Sequence, residues 1–228
     1  MKYFLNIILV VVEILFLSHT TRSQDHDSRT DANEYMNRAD FNRLVNSFES
    51  ESRIEEQKPD DVIALFGDLT GKTVIDIGAG TGLFSFKMAE KAEKVIAADV
   101  DDRFLEFVKF RLDTLSNGSL KTKIESRKIP YDDPGLKRYE VDGVLLVNTY
   151  HHIENRVEYL KKLKNGIRDG GRILIIDFFK NSNYGPPNNH KLAMDIVIAE
   201  LKEAGYSNIQ TDIHTLAQQY IVIVDINR

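Results

Sequence analysis

A doubly wound, mostly parallel α/β sheet of seven strands is the fold this sequence predicts, and three observations predict it. Short, near-continuous apolar runs alternate with amphipathic helices, the pattern of a parallel sheet covered on both faces. The first of these runs ends in a glycine cluster that leads into a helix. The last two runs are separated only by His214–Gln219. That is too short for a crossover helix, so they pair antiparallel and place one reversed strand near the C-terminal edge.

Each element follows from local pattern. Phe41, Leu44, Val45 and Phe48 recur at helical spacing within 39–50. Pro59-Asp60-Asp61 opens a helix through Val62, Ile63, Leu65 and Phe66, with proline in the first turn and acids at its positive end. Lys72–Ile77 is the first strand and Leu83–Lys91 the helix after it. Lys94–Ala98 is the second strand, and Asp101–Leu115 a helix with Phe104, Leu105, Val108 and Leu112 on one face. Thr122–Ser126 is a weak strand and Val141–Val147 a strong one. Arg156–Arg168 is a helix carrying Val157, Leu160, Leu163 and Ile167, with Asn155 expected as its cap and Gly170 as its stop. Arg172–Phe178 is a strand, 191–204 a helix ended by Gly205, and Ile209–Ile213 with Tyr220–Val224 are the closing strands.

The composition narrows the function. The 228 residues are 42% apolar and 29% charged, ordinary for a globular chain. A formal charge of −5 gives no basic footprint, so no nucleic-acid partner is expected. The absence of cysteine excludes disulfide scaffolds, zinc ribbons and thiol nucleophiles. Three segments are expected. Residues 1–23 have the layout of a signal peptide: Lys2, the apolar run of residues 3–17, then a polar exit with cleavage before Gln24. Retained, the run would serve as an N-terminal anchor; as a helix it spans about 22 Å, short of the roughly 30 Å hydrocarbon core. Either way the chain is expected to be exported, periplasmic or membrane-anchored. Residues 24–38 read as a polar linker, and its Asp25-His26-Asp27 as a tail without metal. The main folded domain is expected over 39–228.

The turn Asp76-Ile77-Gly78-Ala79-Gly80-Thr81-Gly82 carries the strongest chemical signal. Glycines after a strand let backbone approach a ligand, and the helix N-terminus offers unpaired N–H groups. Asp99, 21 residues after Gly78, ends the second strand where a carboxylate accepts ribose hydroxyls. A dinucleotide fingerprint needs glycine at position 83, where Leu83 stands. The spacing is G-x-G-x-G, with an acid inside the strand that repels a pyrophosphate and suits an amino and sulfonium group.

With these motifs the sequence resembles the class I S-adenosylmethionine-dependent methyltransferases: VIDIGAGTGLFS, VIAADVD and VDGVLLVNTYHHI match their first, second and fourth strand motifs. Phe48-Glu49-Ser50, Arg53, Gln57-Lys58-Pro59, Gly185-Pro186-Pro187 and His190-Lys191 resemble a bacterial subgroup. The resemblance covers residues 40–226 and implies a Rossmann-like fold, S-adenosylmethionine as cofactor and a small-molecule methyl acceptor. It implies that Asp76 and the backbone of Gly78, Ala79, Gly80 and Gly82 hold the methionine part and Asp99 the ribose. Val100 would pack on adenine, Asp132 or Asp133 would meet its amino group, and Asn148 would line the sulfonium side. An oxidoreductase and a non-catalytic cofactor-binding protein are the competing readings.

The acceptor is expected beyond the fourth strand, at Tyr150, His151 and His152. A neutral imidazole there takes the acceptor proton. Of the two histidines, one is expected to face the acceptor and the other to pack, with His151 favoured as base. The segment 180–191 is long enough to be a lid, with Tyr184, His190 and Lys191 as candidate acceptor contacts.

Overall fold

The computed structural model describes residues 32–115 and 118–227. The signal segment, most of the linker and the Asp25-His26-Asp27 group lie outside the described residues. The chain divides into two units at Arg38/Ala39. In the first, residues 32–38 form helix α1, with an ion pair between Glu34 and Arg38 at 3.0 Å, so the described end of the expected linker is helical.

The second unit begins with three short helices, α2 (Phe41–Phe48), α3 (Glu51–Gln57) and α4 (Pro59–Ala64). Asp40 caps α2 by accepting from Arg43 N at 2.8 Å. Helix α3 is an addition to the sequence reading. Ser50 caps it, and it ends because Lys58 turns left-handed at φ 40° before Pro59. Then come β1 (Thr73–Ile77), α5 (Leu83–Ala89), β2 (Lys94–Asp99), α6 (Asp102–Thr114), α7 (Gly118–Lys123), β3 (Ile124–Lys128) and β4 (Val141–Val147). A 3-10 turn (Tyr150–His152), α8 (Arg156–Gly166), β5 (Ile167–Phe178), α9 (Met194–Glu203), β6 (Ile209–Asp212) and β7 (Gln219–Asp225) complete the chain.

The seven strands order as β3-β2-β1-β4-β5-β7-β6. The pairs from β3 to β5 are parallel, and β7 runs antiparallel to both β5 and β6. Alternate strand residues feed two apolar layers, as the two-residue period requires. Ile75, Ile77, Val144 and Leu146 face one layer, with Leu160 and Leu163 of α8 and Val197 and Leu201 of α9. Val74, Leu145 and Val147 face the other, with Val62, Met88, Val108 and Leu112.

Local expectations shift in three places. The third strand starts at Ile124 because Gly118–Lys123 coils into α7. Helix α8 ends at Gly166, against which Leu136 packs so closely that a Cβ would lie 2.6 Å from it. Gly170 is therefore no helix stop: it lies within β5 at φ 74°, and its N–H donates to Ile226 O at 2.8 Å. Asn155 makes no side-chain cap to α8; it sits left-handed at φ 48°, and only its carbonyl accepts, from Tyr159 N.

Candidate functional site

The glycine turn leaves the carboxyl end of β1 and touches the carboxyl end of β2 and the segment after β4. Gly78 lies at φ 74°, and a Cβ there would fall 2.2 Å from Thr149 Oγ1, so the first loop and the segment after β4 touch through a hydrogen only glycine supplies. Gly78 N and Ala79 N both donate to Ala98 O, which clamps the turn to β2. Gly80 N donates to Asp99 Oδ2 at 2.9 Å, and Asp101 N to Asp99 Oδ1 at 2.9 Å. Asp99 is thus aimed by backbone donors at the strand end, where each oxygen keeps a second lone pair. Gly82, at φ 87°, starts α5.

Two buried carboxylates charge this turn. Asp76 is 3% exposed and accepts from Ser85 Oγ at 2.6 Å. Burial, reinforced by Asp99 nearby and opposed by the Ser85 hydrogen bond, raises its pKa to about 7. Burial also raises Asp99 above the ordinary carboxyl range. Acids held this way gain from a cationic or hydroxyl-bearing ligand, which restores what burial removed. A ligand with an amino group, a sulfonium and a ribose fits such a cradle.

The N-terminal helices roof the turn. Phe48 of α2 sits 3.4 Å from where a Gly80 Cβ would be, and stacks on Phe104 at 5.5 Å. Arg53 of α3 lies over Phe48 at 4.2 Å, and burial lowers its pKa to about 10. Arg111 of α6 locks the loop from outside, donating to Thr81 O at 2.9 Å and to Glu49 Oε1 at 3.1 Å. It was not anticipated, and only its helical position beside the glycine turn signals it.

Past β4, Asn148 adopts φ 54° and accepts through Oδ1 from Gln219 Nε2. His151 is 4% exposed, and its Nδ1 lies 2.8 Å from Asp177 Oδ2, the fully buried acid at the end of β5. In the 3-10 turn the ring centroids of His151 and His152 are 4.2 Å apart. Burial and the neighbouring His151 and His190 hold His152 well below the usual imidazole pKa, so it is neutral near pH 7. Tyr150 turns away. It is fully buried, donates to Glu200 Oε2 of α9 at 2.7 Å, and sits beside the Arg156–Glu200 pair. Its place in the apolar layer makes it a core residue. Asp177 was missed by sequence reasoning; an acid closing the apolar run of β5 was its signal.

The remaining candidates divide. Val100 is half-buried and packs on the layer beside β1 and β4. Asp133 is committed to Lys162 of α8 at 3.1 Å and to Gly135 N at 2.8 Å, so its carboxylate is tied to α8. Asp132 is exposed, and its carbonyl accepts from Lys162 Nζ. Lys191 is a tie within the loop: it is 2% exposed and donates to Ser182 O and to Asn188 Oδ1 at 3.0 Å. Tyr184 is on the surface with its ring 6.1 Å from Phe178, and a hydrogen bond to Glu56 raises its pKa. No cluster of three metal-ligating side chains occurs among the described residues, nor any helix long and apolar enough to cross a membrane.

Residues 75–173 match the family model described as "Methyltransferase domain". Over 114 residues the chain is 28% identical to a tRNA U34 carboxymethyltransferase of Campylobacter fetus, covering 50% of this chain and 39% of that one. Over 123 residues it is 28% identical to a ubiquinone biosynthesis O-methyltransferase of Nitrosomonas europaea, covering 54% and 48%. The chain thus spans about half the length, or less, of these curated relatives. Among solved structures, a SAM-dependent methyltransferase from Aquifex aeolicus superposes with a TM-score of 0.72 at 24% identity, covering 83% of this chain and all of that one. The methyltransferase CalH, solved with S-adenosylhomocysteine, superposes at 0.60 with 17% identity, covering 80% and 62%.

Proposed function

From a chain that carries the class I S-adenosylmethionine-dependent methyltransferase fold and domain, we propose methyl transfer to a small acceptor whose reacting heteroatom bears a dissociable proton. The observation that carries this is the buried His151–Asp177 pair, 2.8 Å apart, which lies past β4 and at the end of β5, two residues along from the Thr149 that touches Gly78. Bound at the glycine turn, S-adenosylmethionine supplies the methyl group and leaves as the neutral sulfide. Asp76 would hold its amino group, Asp99 its ribose hydroxyls, and Val100 its adenine. Asp177 accepts from His151 Nδ1, which leaves Nε2 as the basic nitrogen for the acceptor proton. His152, neutral and with its ring 4.2 Å from that of His151, lets the His151 ring become charged without a second cation beside it.

A small acceptor is favoured by the roof of Phe48 and Arg53 over the turn and by the packing of the 180–191 loop on Phe178, where a Gly185 Cβ would lie 2.7 Å from the ring. Relatives named for quinone and for tRNA substrates bracket the acceptor classes; the net charge of −5 favours the small molecule. Export through residues 1–23 is part of the same proposal, supported by Lys2 and the apolar run that follows it. The test is release of S-adenosylhomocysteine against pooled phenols, hydroxy acids and amines. Turnover that survives in His151→Gln removes the base from the mechanism; no turnover with any pool, despite cofactor binding, leaves a binding protein.

A further inference from the structure

A chain of three side-chain amides connects the N-terminal helices to the segment after β4, and the chemistry above does not use it. Gln57, the last residue of α3, donates from Nε2 to Gln219 Oε1 at 2.7 Å. Gln219, the first residue of β7, donates from Nε2 to Asn148 Oδ1. Gln57 and Gln219 are each 2% exposed. Three elements remote in sequence are thereby joined beside the glycine turn, since Thr149, the neighbour of Asn148, covers Gly78. Gln219 also lies opposite Phe178 in the β5–β7 register, one residue from the acid that holds His151.

Such a chain has a direction, because each amide oxygen accepts and each amide nitrogen donates. With one lone pair of its oxygen held by Gln219, Asn148 is oriented with its N–H groups turned from that bond and available to a ligand. At the far end Gln57 Oε1 is buried without a hydrogen-bond partner among the described residues. A chain built for stability alone would gain from satisfying that oxygen or from apolar replacements of the same shape. The turn holds two carboxylates for the cationic and hydroxyl parts of its ligand, whereas a carboxylate on the same ligand needs donors.

We propose that Gln57 and Gln219 are positioning residues that hold Asn148 with its N–H groups toward the carboxylate of the cofactor's amino-acid end. Asp76 then takes the amino group of that end and Asn148 its carboxylate. This rests on the cofactor reading above, and it also ties α3, whose Arg53 lies over Phe48 above the glycine turn, to the cofactor site.

The experiment compares two ligands on the full chain by calorimetry: S-adenosylhomocysteine, which has the amino-acid end, and 5′-methylthioadenosine, which lacks it. Gln219→Leu and Gln57→Ala should weaken S-adenosylhomocysteine about tenfold, the scale of one lost hydrogen bond to a charged group. Both should leave 5′-methylthioadenosine within about twofold of wild type, well below that scale. Gln219→Glu keeps the acceptor for Gln57 but loses the donor to Asn148, so it should behave as Gln219→Leu does. Equal weakening of both ligands, or unchanged S-adenosylhomocysteine affinity in folded Gln219→Glu, overturns the proposal. A melting curve checks that each variant folds, and Gln57→Ala, at a helix end, carries the test if Gln219→Leu does not. A wild-type chain that binds neither ligand fails the cofactor reading instead.

Discussion

Replacing Asp76 with Asn should stabilise the ligand-free protein and weaken its hold on cofactor. In the unfolded chain Asp76 ionises near 3.8, and in the folded chain near about 7. Between those values the folded state keeps a proton that the unfolded state has released, so stability falls as pH rises through the window and levels off above it. The gap of about three pH units corresponds to about 4 kcal/mol as an upper bound. Asparagine is neutral throughout, still accepts from Ser85 Oγ at the site of the present 2.6 Å bond, and removes the repulsion from Asp99. Urea unfolding of both proteins from pH 4 to pH 8.5 measures the difference. It should be small near pH 4, grow to about 2–4 kcal/mol by pH 8, and change little beyond. Calorimetry on the same samples should show S-adenosylmethionine bound weaker by about 1.5–3 kcal/mol, the scale of a charged hydrogen bond. A variant less stable than wild type at pH 8, or an offset that does not vary with pH, would refute the claim that burial of a functional charge destabilises the turn.

Asp99→Ala removes the proposed ribose partner and frees Gly80 N and Asp101 N, and S-adenosylhomocysteine affinity should drop by about 2–3 kcal/mol; calorimetry that finds no change moves the ribose elsewhere. His151→Gln should lower turnover by roughly 10²–10⁴-fold with cofactor affinity nearly unchanged, and Asp177→Asn should follow it. A loss of a few-fold only would assign catalysis to positioning. Gly78→Ala should abolish cofactor binding or folding, because its Cβ meets Thr149 Oγ1, Cγ2 and Cβ; Gly78→Ala with Thr149→Gly, which removes all three atoms, tests whether space, rather than φ, is limiting, by whether the second change restores binding. Residues 1–23 fused to a reporter active only outside the cytoplasm should give signal, with a mature N-terminus near Gln24; a full-length cytoplasmic product would sink the export proposal.

The sheet was legible in the sequence because a parallel strand buried on both faces must be apolar along its whole length, and Val141–Val147 or Arg172–Phe178 allow little else. The glycine turn and Asp99 were legible because their spacing is set within one strand–turn–helix unit. The reversal of β7 followed from the short His214–Gln219 connection. Helix α3 escaped notice, since its seven residues present hardly any apolar periodicity and are held by a Ser50 cap and the left-handed Lys58. Only the tertiary structure decided where the side chains of the three adjacent residues after β4 go. A 3-10 turn sends Tyr150 into the core onto Glu200 of α9 and sets His151 against Asp177 of β5, with the His152 ring 4.2 Å from it. The same holds for Asp177, for Arg111 on the glycine turn, and for the Gln57–Gln219–Asn148 chain. Each joins residues far apart in sequence, and a hydrogen bond between distant side chains leaves no periodic trace along a chain.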